Sequence, residues 1–176
     1  MHPVRRAPLT RSEGPFARCV RHAESVHLEL REHSDLQPHQ TPYAPNLDFA
    51  ESWWDETERW TNPGVHALYF LLEGVEVARA RVIENAPIEL FWHDFNPRLQ
   101  TLEIDWLEVA SVLPPRSGVG RAAVGRIREA WPDSQVVARS RVKDYFWGGR
   151  DMGFLKTSRS DGAERTNPLF VAPPLA

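Results

Sequence analysis

Between residues 101 and 131 the spacing of apolar and polar side chains changes period once, and that change frames the chain. Leu102, Ile104 and Trp106 alternate with Glu103 and Asp105, a period of two that predicts a strand over 101–112 with one buried face. Pro114 and Pro115 end it, because proline brings no N–H to a sheet ladder. After Arg116-Ser117-Gly118-Val119-Gly120-Arg121, apolar residues fall at Val119, Ala123, Val124, Ile127 and Trp131. That spacing predicts a helix with one buried face, stopped by Pro132.

The same reading extends along the chain. Val26, Leu28 and Leu30 alternate with polar neighbours and predict a strand over 25–30. Residues 33–46 carry Pro38, Pro42 and Pro45 and read as loop. Residues 48–60 read as a helix opened by Asp48 with Glu51 three positions on, a capping-box pattern. Its apolar side would be Phe49, Trp53, Trp54 and Trp60; Asp55, Glu56 and Glu58 would make the other face acidic and solvated. Two β-rich runs, 66–72 and 75–83, flank Glu73-Gly74 and predict a hairpin. Residues 88–95 form a third candidate strand, bracketed by Pro87 and Pro97. Beyond the central helix, 135–138 reads as a short buried strand and 142–147 as one or two helical turns ended by Gly148-Gly149. Residues 153–157 and 169–171 read as the last strands.

A strand, a glycine turn and a helix start together make a ready anion site. The first N–H groups of a helix have no internal partner, and the dipole is positive there. Gly118 and Gly120 let a phosphate approach the main chain, and Arg116 and Arg121 add charge. A lone GxG is a weak signal, equally compatible with a glycine-rich helix start that binds nothing.

Composition narrows the classes. With 176 residues, 41% hydrophobic and 26% charged, the chain suits one soluble domain. A net charge of −3 argues against a general nucleic-acid or membrane-surface binder. Cys19 is the sole cysteine, so neither an intrachain disulfide nor a thiolate metal cluster is expected. No histidine pair has metal-ligand spacing, His93-Asp94 lacks a GxSxG serine, and no run reaches membrane-spanning length. The expected compartment is the cytoplasm.

The order of elements resembles the GNAT superfamily of N-acyltransferases. Leu72-Glu73-Gly74-Val75-Glu76-Val77-Ala78-Arg79-Ala80 is similar to its second and third strands. Residues 107–124 resemble its acyl-CoA signature, a strand leading into Q/R-x-x-G-x-G/A and a helix. Tyr145-Phe146-Trp147 followed by Met152-Gly153-Phe154 resembles the aromatic helix and Gly-Phe strand that close the cofactor site. Two departures stand out: Pro115 occupies the Q/R position, with Arg116 one residue late, and residues 148–152 are longer than the family's connection.

The resemblance implies a single α/β domain over 1–176, a mixed, mostly antiparallel twisted sheet flanked by helices. Residues 66–157 would be the acyl-CoA-binding core, 1–65 the divergent acceptor-side part and 158–176 a C-terminal strand and tail. It also implies acyl transfer, in the simplest case from acetyl-CoA to a primary amine, by direct attack in a ternary complex and without a metal. Pantetheine would pair near Val109, and pyrophosphate would meet the N–H groups of Ser117, Gly118, Val119, Gly120 and Arg121, with Arg116 nearby. The acceptor amine must lose a proton before attack, and Glu103 and Glu108, then Asp105, are the candidate bases. Tyr145 is the candidate donor to the departing thiolate. A homodimer fits the resemblance. The alternatives are a non-catalytic GNAT-like module that binds CoA or another protein and, last, a phosphate binder of another fold.

Overall fold

A computed structural model describes residues 26–33, 36, 40–43, 48–49, 53–55, 60, 62–90, 92–140, 144–149, 152–159 and 167–175. Cys19, His22, His39, Glu51, Glu56 and Glu58 lie outside the described residues. Strands β1 (Glu29–Glu32), β2 (Val65–Leu72), β3 (Val75–Glu84), β4 (Thr101–Val109), β5 (Gln135–Arg139), β6 (Leu155–Lys156) and β7 (Leu169–Ala172) form one sheet. Their order is β1-β2-β3-β4-β5-β7-β6. β4 and β5 are parallel, and the other neighbours are antiparallel. Among the described residues the helices are α1 (Val119–Ala130) and α2 (Asp144–Trp147), with a 3-10 turn at Trp53–Asp55.

The β2–β3 hairpin forms as expected. Glu73 and Gly74 have φ of 52° and 80°, the paired positive values of a turn whose twist matches its strands. α1 buries Val119, Ala123, Val124 and Ile127, four of the five expected positions, while Trp131 is half-buried and donates its indole N–H to Glu84 at 2.7 Å.

Strand register sorts the centre of the sheet into two unlike faces. Ala78, Ala80, Val82 and Glu84 lie opposite Val109, Leu107, Ile104 and Leu102. This largely aliphatic face receives α1. Arg79, Arg81 and Ile83 lie opposite Glu108, Trp106 and Glu103. Between Ile104 and Trp106 the register slips by one, leaving Asp105 as an extra residue of β4, a bulge that bends the strand.

On that second face Arg79 and Arg81 are each only 1% exposed. A buried charge needs a partner. Arg79 makes two hydrogen bonds to Glu76, at 2.6 and 3.1 Å, and lies over Phe49, Tyr43 and Trp54. Arg81 donates from Nε to Asp105 at 2.7 Å and lies near Trp53 and Trp60. The tryptophans are thus core, packed around two guanidinium groups.

Several expectations change. Residues 88–95 do not form a strand in their described part; Trp92 makes an isolated bridge to Arg159, and the Asp94 N–H donates to Thr157 Oγ1 at 3.2 Å. Ile88 and Trp92 instead plug a small second core with Val137, Leu169 and Val171. Among the described residues of 48–60, only Trp53–Asp55 is helical. Asp48 lies in a turn whose carbonyl accepts from Ser111 at 2.6 Å, and the Trp54 carbonyl accepts the Trp60 indole N–H at 2.9 Å. The rest of the expected helix, residues 50–52 and 56–59, lies outside the described residues. β1 begins at Glu29 rather than 25, and β4 ends at Val109, where Ser111 and Val112 already turn.

Candidate active site

β4 and β5 share a ladder only from Thr101↔Gln135 to Ile104↔Ala138. The bulge at Asp105 follows immediately, and β4 then runs on to Val109 with no β5 partner in the ladder. The result is an opening between two parallel strands at the centre of the sheet. Over its far end comes the start of α1.

The turn before α1 has two left-handed residues, Arg116 at φ 64° and Gly118 at φ 84°. Glycine suits the second without strain, and Gly118 is the N-cap, with no side-chain cap. The Ser117 N–H donates to the Pro114 carbonyl at 3.2 Å, so of the expected phosphate contacts that N–H is already used within the turn. The first bond of the helical ladder runs from Ala122 to Gly118 at 3.0 Å, so the Val119 and Gly120 N–H groups precede it. Gly120 is where three elements meet. A Cβ there would lie 3.0 Å from the Phe146 ring and 3.4 Å from Val109 Cγ2. Val109 and Gly120 are therefore neighbours, and Phe146 of α2 closes over both. Arg116 and Arg121 are exposed.

The candidate bases have different surroundings. Glu103 sits on β4 between Ile83 of β3 and Val137 of β5, one residue before the parallel ladder ends. Its side chain is 13% exposed, and Arg139 Nε lies 3.4 Å from its carboxylate. Burial, opposed by Arg139, pushes its pKa above the ordinary glutamate value. Glu108 accepts the Trp53 indole N–H at 3.1 Å, and Trp53 stacks on Trp106 with centroids 5.8 Å apart. Asp105 is committed to Arg81.

Tyr145 is 76% exposed on α2, so it is not a packing residue. Phe146, against Gly120, and Trp147, 5.3 Å from the Phe154 ring, do the packing of that helix. The structure places Tyr145 beside the ring that closes on Gly120, while Glu103 and Glu108 lie on the arginine-bearing face of β4. His93 and Asp94 are exposed. Among the described residues no group of three or more His, Cys, Asp or Glu side chains is placed to hold a metal ion.

Four residues escaped the sequence reading: Arg79, Arg81, Glu89 and Arg139. A signal existed for the first two, since Ala78-Arg79-Ala80-Arg81-Val82 puts two arginines at alternate positions of a strand otherwise apolar. Nothing in the sequence links Glu89 with Arg139, fifty residues apart.

The fold recurs in solved structures. Over 85% of this chain and 96% of the other, the ribosomal-protein-S18-alanine N-acetyltransferase from Escherichia coli superposes with a TM-score of 0.52 at 13% identity. AtaT, solved in complex with acetyl-methionyl-tRNAfMet, gives 0.56 at 11% identity over 82% of this chain and 94% of that one. AtaTR bound with AcCoA gives 0.50 at 13% identity over 84% and 93%. No family model and no curated protein matches the sequence. The chain has the GNAT fold, a single α/β domain built on a mostly antiparallel sheet. Among the described residues no helix is long and apolar enough to cross a membrane.

Proposed function

We propose that this protein transfers an acyl group, in the simplest case acetyl, from acyl-CoA to a primary amine in a ternary complex. The observation that carries the reading is the opening between β4 and β5 beyond Ile104↔Ala138, with the start of α1 at its end. Edge groups of β4 near Val109 would pair with the pantetheine amides. The N–H groups of Val119 and Gly120 would meet the pyrophosphate, with Gly118 shaping the turn and Arg116 and Arg121 adding charge.

The thioester supplies an activated acyl carbon. Glu103 is the base we favour, because burial raises its affinity for a proton and it stands beside the opening. It takes a proton from the acceptor ammonium; the freed amine attacks the acyl carbon, the C–S bond breaks and the thiolate takes a proton from Tyr145, while the nitrogen, now part of an amide, gives up its second proton to restore the Tyr145 hydroxyl, directly or through solvent. Glu108, held by Trp53, is the second candidate base. A non-catalytic CoA-binding module is the rival reading. Pro115 at the motif's Q/R position and the exposure of Tyr145 favour it.

Two measurements decide. Acetyl-CoA should raise Tm, by the equivalent of about 2.7 kcal/mol at a hundredfold excess over Kd. Gly120→Glu should abolish the shift, but it also collides with Phe146; Arg121→Glu, which leaves that contact alone, should weaken it. No shift at millimolar acetyl-CoA with the wild-type protein sinks both readings. Turnover with a panel of amines separates them. If it occurs, Tyr145→Phe should bind acetyl-CoA normally and turn over more slowly.

A further inference from the structure

The connection between β3 and β4, residues 85–100, lies against the sheet on the same face as Glu103. Ile88 and Trp92 anchor it on Val137 of β5 and on Leu169 and Val171 of β7. The Asn96 N–H donates to the Gln135 side-chain oxygen at 3.1 Å, and Gln135 Nε2 donates back to the Asn96 carbonyl at 2.7 Å. This anchoring delivers Glu89 to Arg139, the last residue of β5.

Arg139 faces two carboxylates, and it does not treat them alike. Its Nη2 donates to Glu89 at 2.9 Å, whereas its Nε stands 3.4 Å from Glu103. Glu89 also accepts the Trp92 indole N–H at 3.3 Å, which fixes its carboxylate on the connection. Arg159 lies over the Trp92 ring at 5.6 Å. The charged groups acting on Glu103 are thus Arg139 from β5, Glu89 from the connection, and Asp105 from its own strand. The β3 residue opposite it is Ile83, which is apolar.

We propose that Glu89 and Arg139 are positioning residues for Glu103. Glu89 anchors the guanidinium, and the anchored guanidinium orients the Glu103 carboxylate at the mouth of the opening without closing a tight pair on it. A carboxylate in a close, bidentate arginine pair would be a poor proton acceptor. A carboxylate with no cation at hand would remain protonated in its buried setting and would be equally unsuited to take a proton. Glu89 sets the intermediate case. The directions agree: Arg139 holds Glu89 down at about 2, while burial holds Glu103 above its ordinary value despite the same arginine.

The importance of this relation for catalysis rests on the acyl-transfer reading, but the relation itself is measurable without turnover. The experiment is a carbon-13 NMR titration of the Glu103 carboxyl in the full chain, assigned by its loss in Glu103→Gln. Glu89→Gln removes the competing anion and releases Arg139 toward Glu103, so the midpoint should fall by about one pH unit. Arg139→Gln removes the cation, so the midpoint should rise by a similar amount. Both substituted side chains are partly exposed, at 31% and 25%, and melting curves establish that each variant folds. Should Glu89→Gln fail to fold, Arg139→Gln alone decides, since only a rise agrees. A midpoint that stays put or rises in Glu89→Gln overturns the proposal, as does one that falls or stays put in Arg139→Gln. The acid limb of kcat/KM is then recorded for the same variants. If it follows the NMR midpoint, Glu103 is the base. If the midpoint moves and the limb does not, the positioning relation stands and the base lies elsewhere.

Discussion

The two faces of the central strands are built from different chemistry by the same backbone. Toward α1, Ala78, Ala80, Val82, Leu102, Ile104, Leu107 and Val109 meet Val119, Ala123, Val124 and Ile127. Stability there comes from apolar area removed from water, roughly 1.5–3 kcal/mol for each fully buried large side chain. On the other face Arg79, Arg81 and Glu108 meet Tyr43, Phe49, Trp53, Trp54 and Trp60, Asp105 pairs with Arg81, and Glu103 lies beside Arg139 near residues 85–100. A low-dielectric setting raises the cost of each charge and strengthens each pairing. The lesson is a division of labour: one face holds the fold, and the other buries the groups whose protonation can be tuned.

The strongest challenge to that division is Glu103→Gln. If the second face carries the chemistry, kcat should fall by about two to four orders of magnitude, with acetyl-CoA binding retained because the amide keeps the shape. Glu108→Gln run alongside assigns the base, since the larger loss marks it. Full activity in both variants would remove the chemistry from this face.

Next in size is Arg81→Met. Removing the cation from beside Asp105 strips one partner from a buried pair, a change that costs about 3–5 kcal/mol. Urea unfolding measures it. A loss below about 1 kcal/mol would mean that the aromatic enclosure, and not the ion pair, holds that face together.

Ile127→Val probes the opposite face. It removes one methyl from a fully buried α1 residue, with an expected cost of about 0.5–1.5 kcal/mol. Because no charged group of the second face is touched, kcat should be unchanged under conditions where the variant is folded. A drop in kcat beyond that expected from unfolding would show that the faces are coupled.

The smallest effect is pH-dependent. Glu89 titrates at about 2 when folded, against an ordinary 4.5, chiefly through its hydrogen bond to Arg139. A depressed carboxyl value means that its stabilisation is present above about pH 4.5 and is lost as pH falls toward 2. The stability gap between wild type and Glu89→Gln should therefore be largest near neutrality and shrink across that window. Because the pair is partly exposed, we expect at most about 1 kcal/mol. A gap that grows as the pH drops would contradict the pairing.

Much of the aliphatic face was legible in the sequence. Val119, Ala123, Val124 and Ile127 repeat at helical spacing, Leu102 and Ile104 at strand spacing, and Glu73-Gly74 marks its turn. These signals are local: each element's period states which side it buries, and short punctuation by Gly118, Pro114, Pro115 and Pro132 states where it stops. The GNAT-like fold followed from the resemblance that this order of elements carries.

The charged face was decided by tertiary structure alone. Whether Glu103 is solvated or buried depends on residues 85–100 lying over it, and that connection is held by contacts to β5 and β7 far along the chain. Trp53, Trp54 and Trp60 read as the apolar side of one element, and what they pack round, Arg79 and Arg81 from β3, is set by the fold. The bulge at Asp105 exists only in the pairing of β4 with β3. Hydrophobic periodicity is a property of neighbours in sequence, whereas the protonation of a buried carboxylate is a sum over charges brought together by folding.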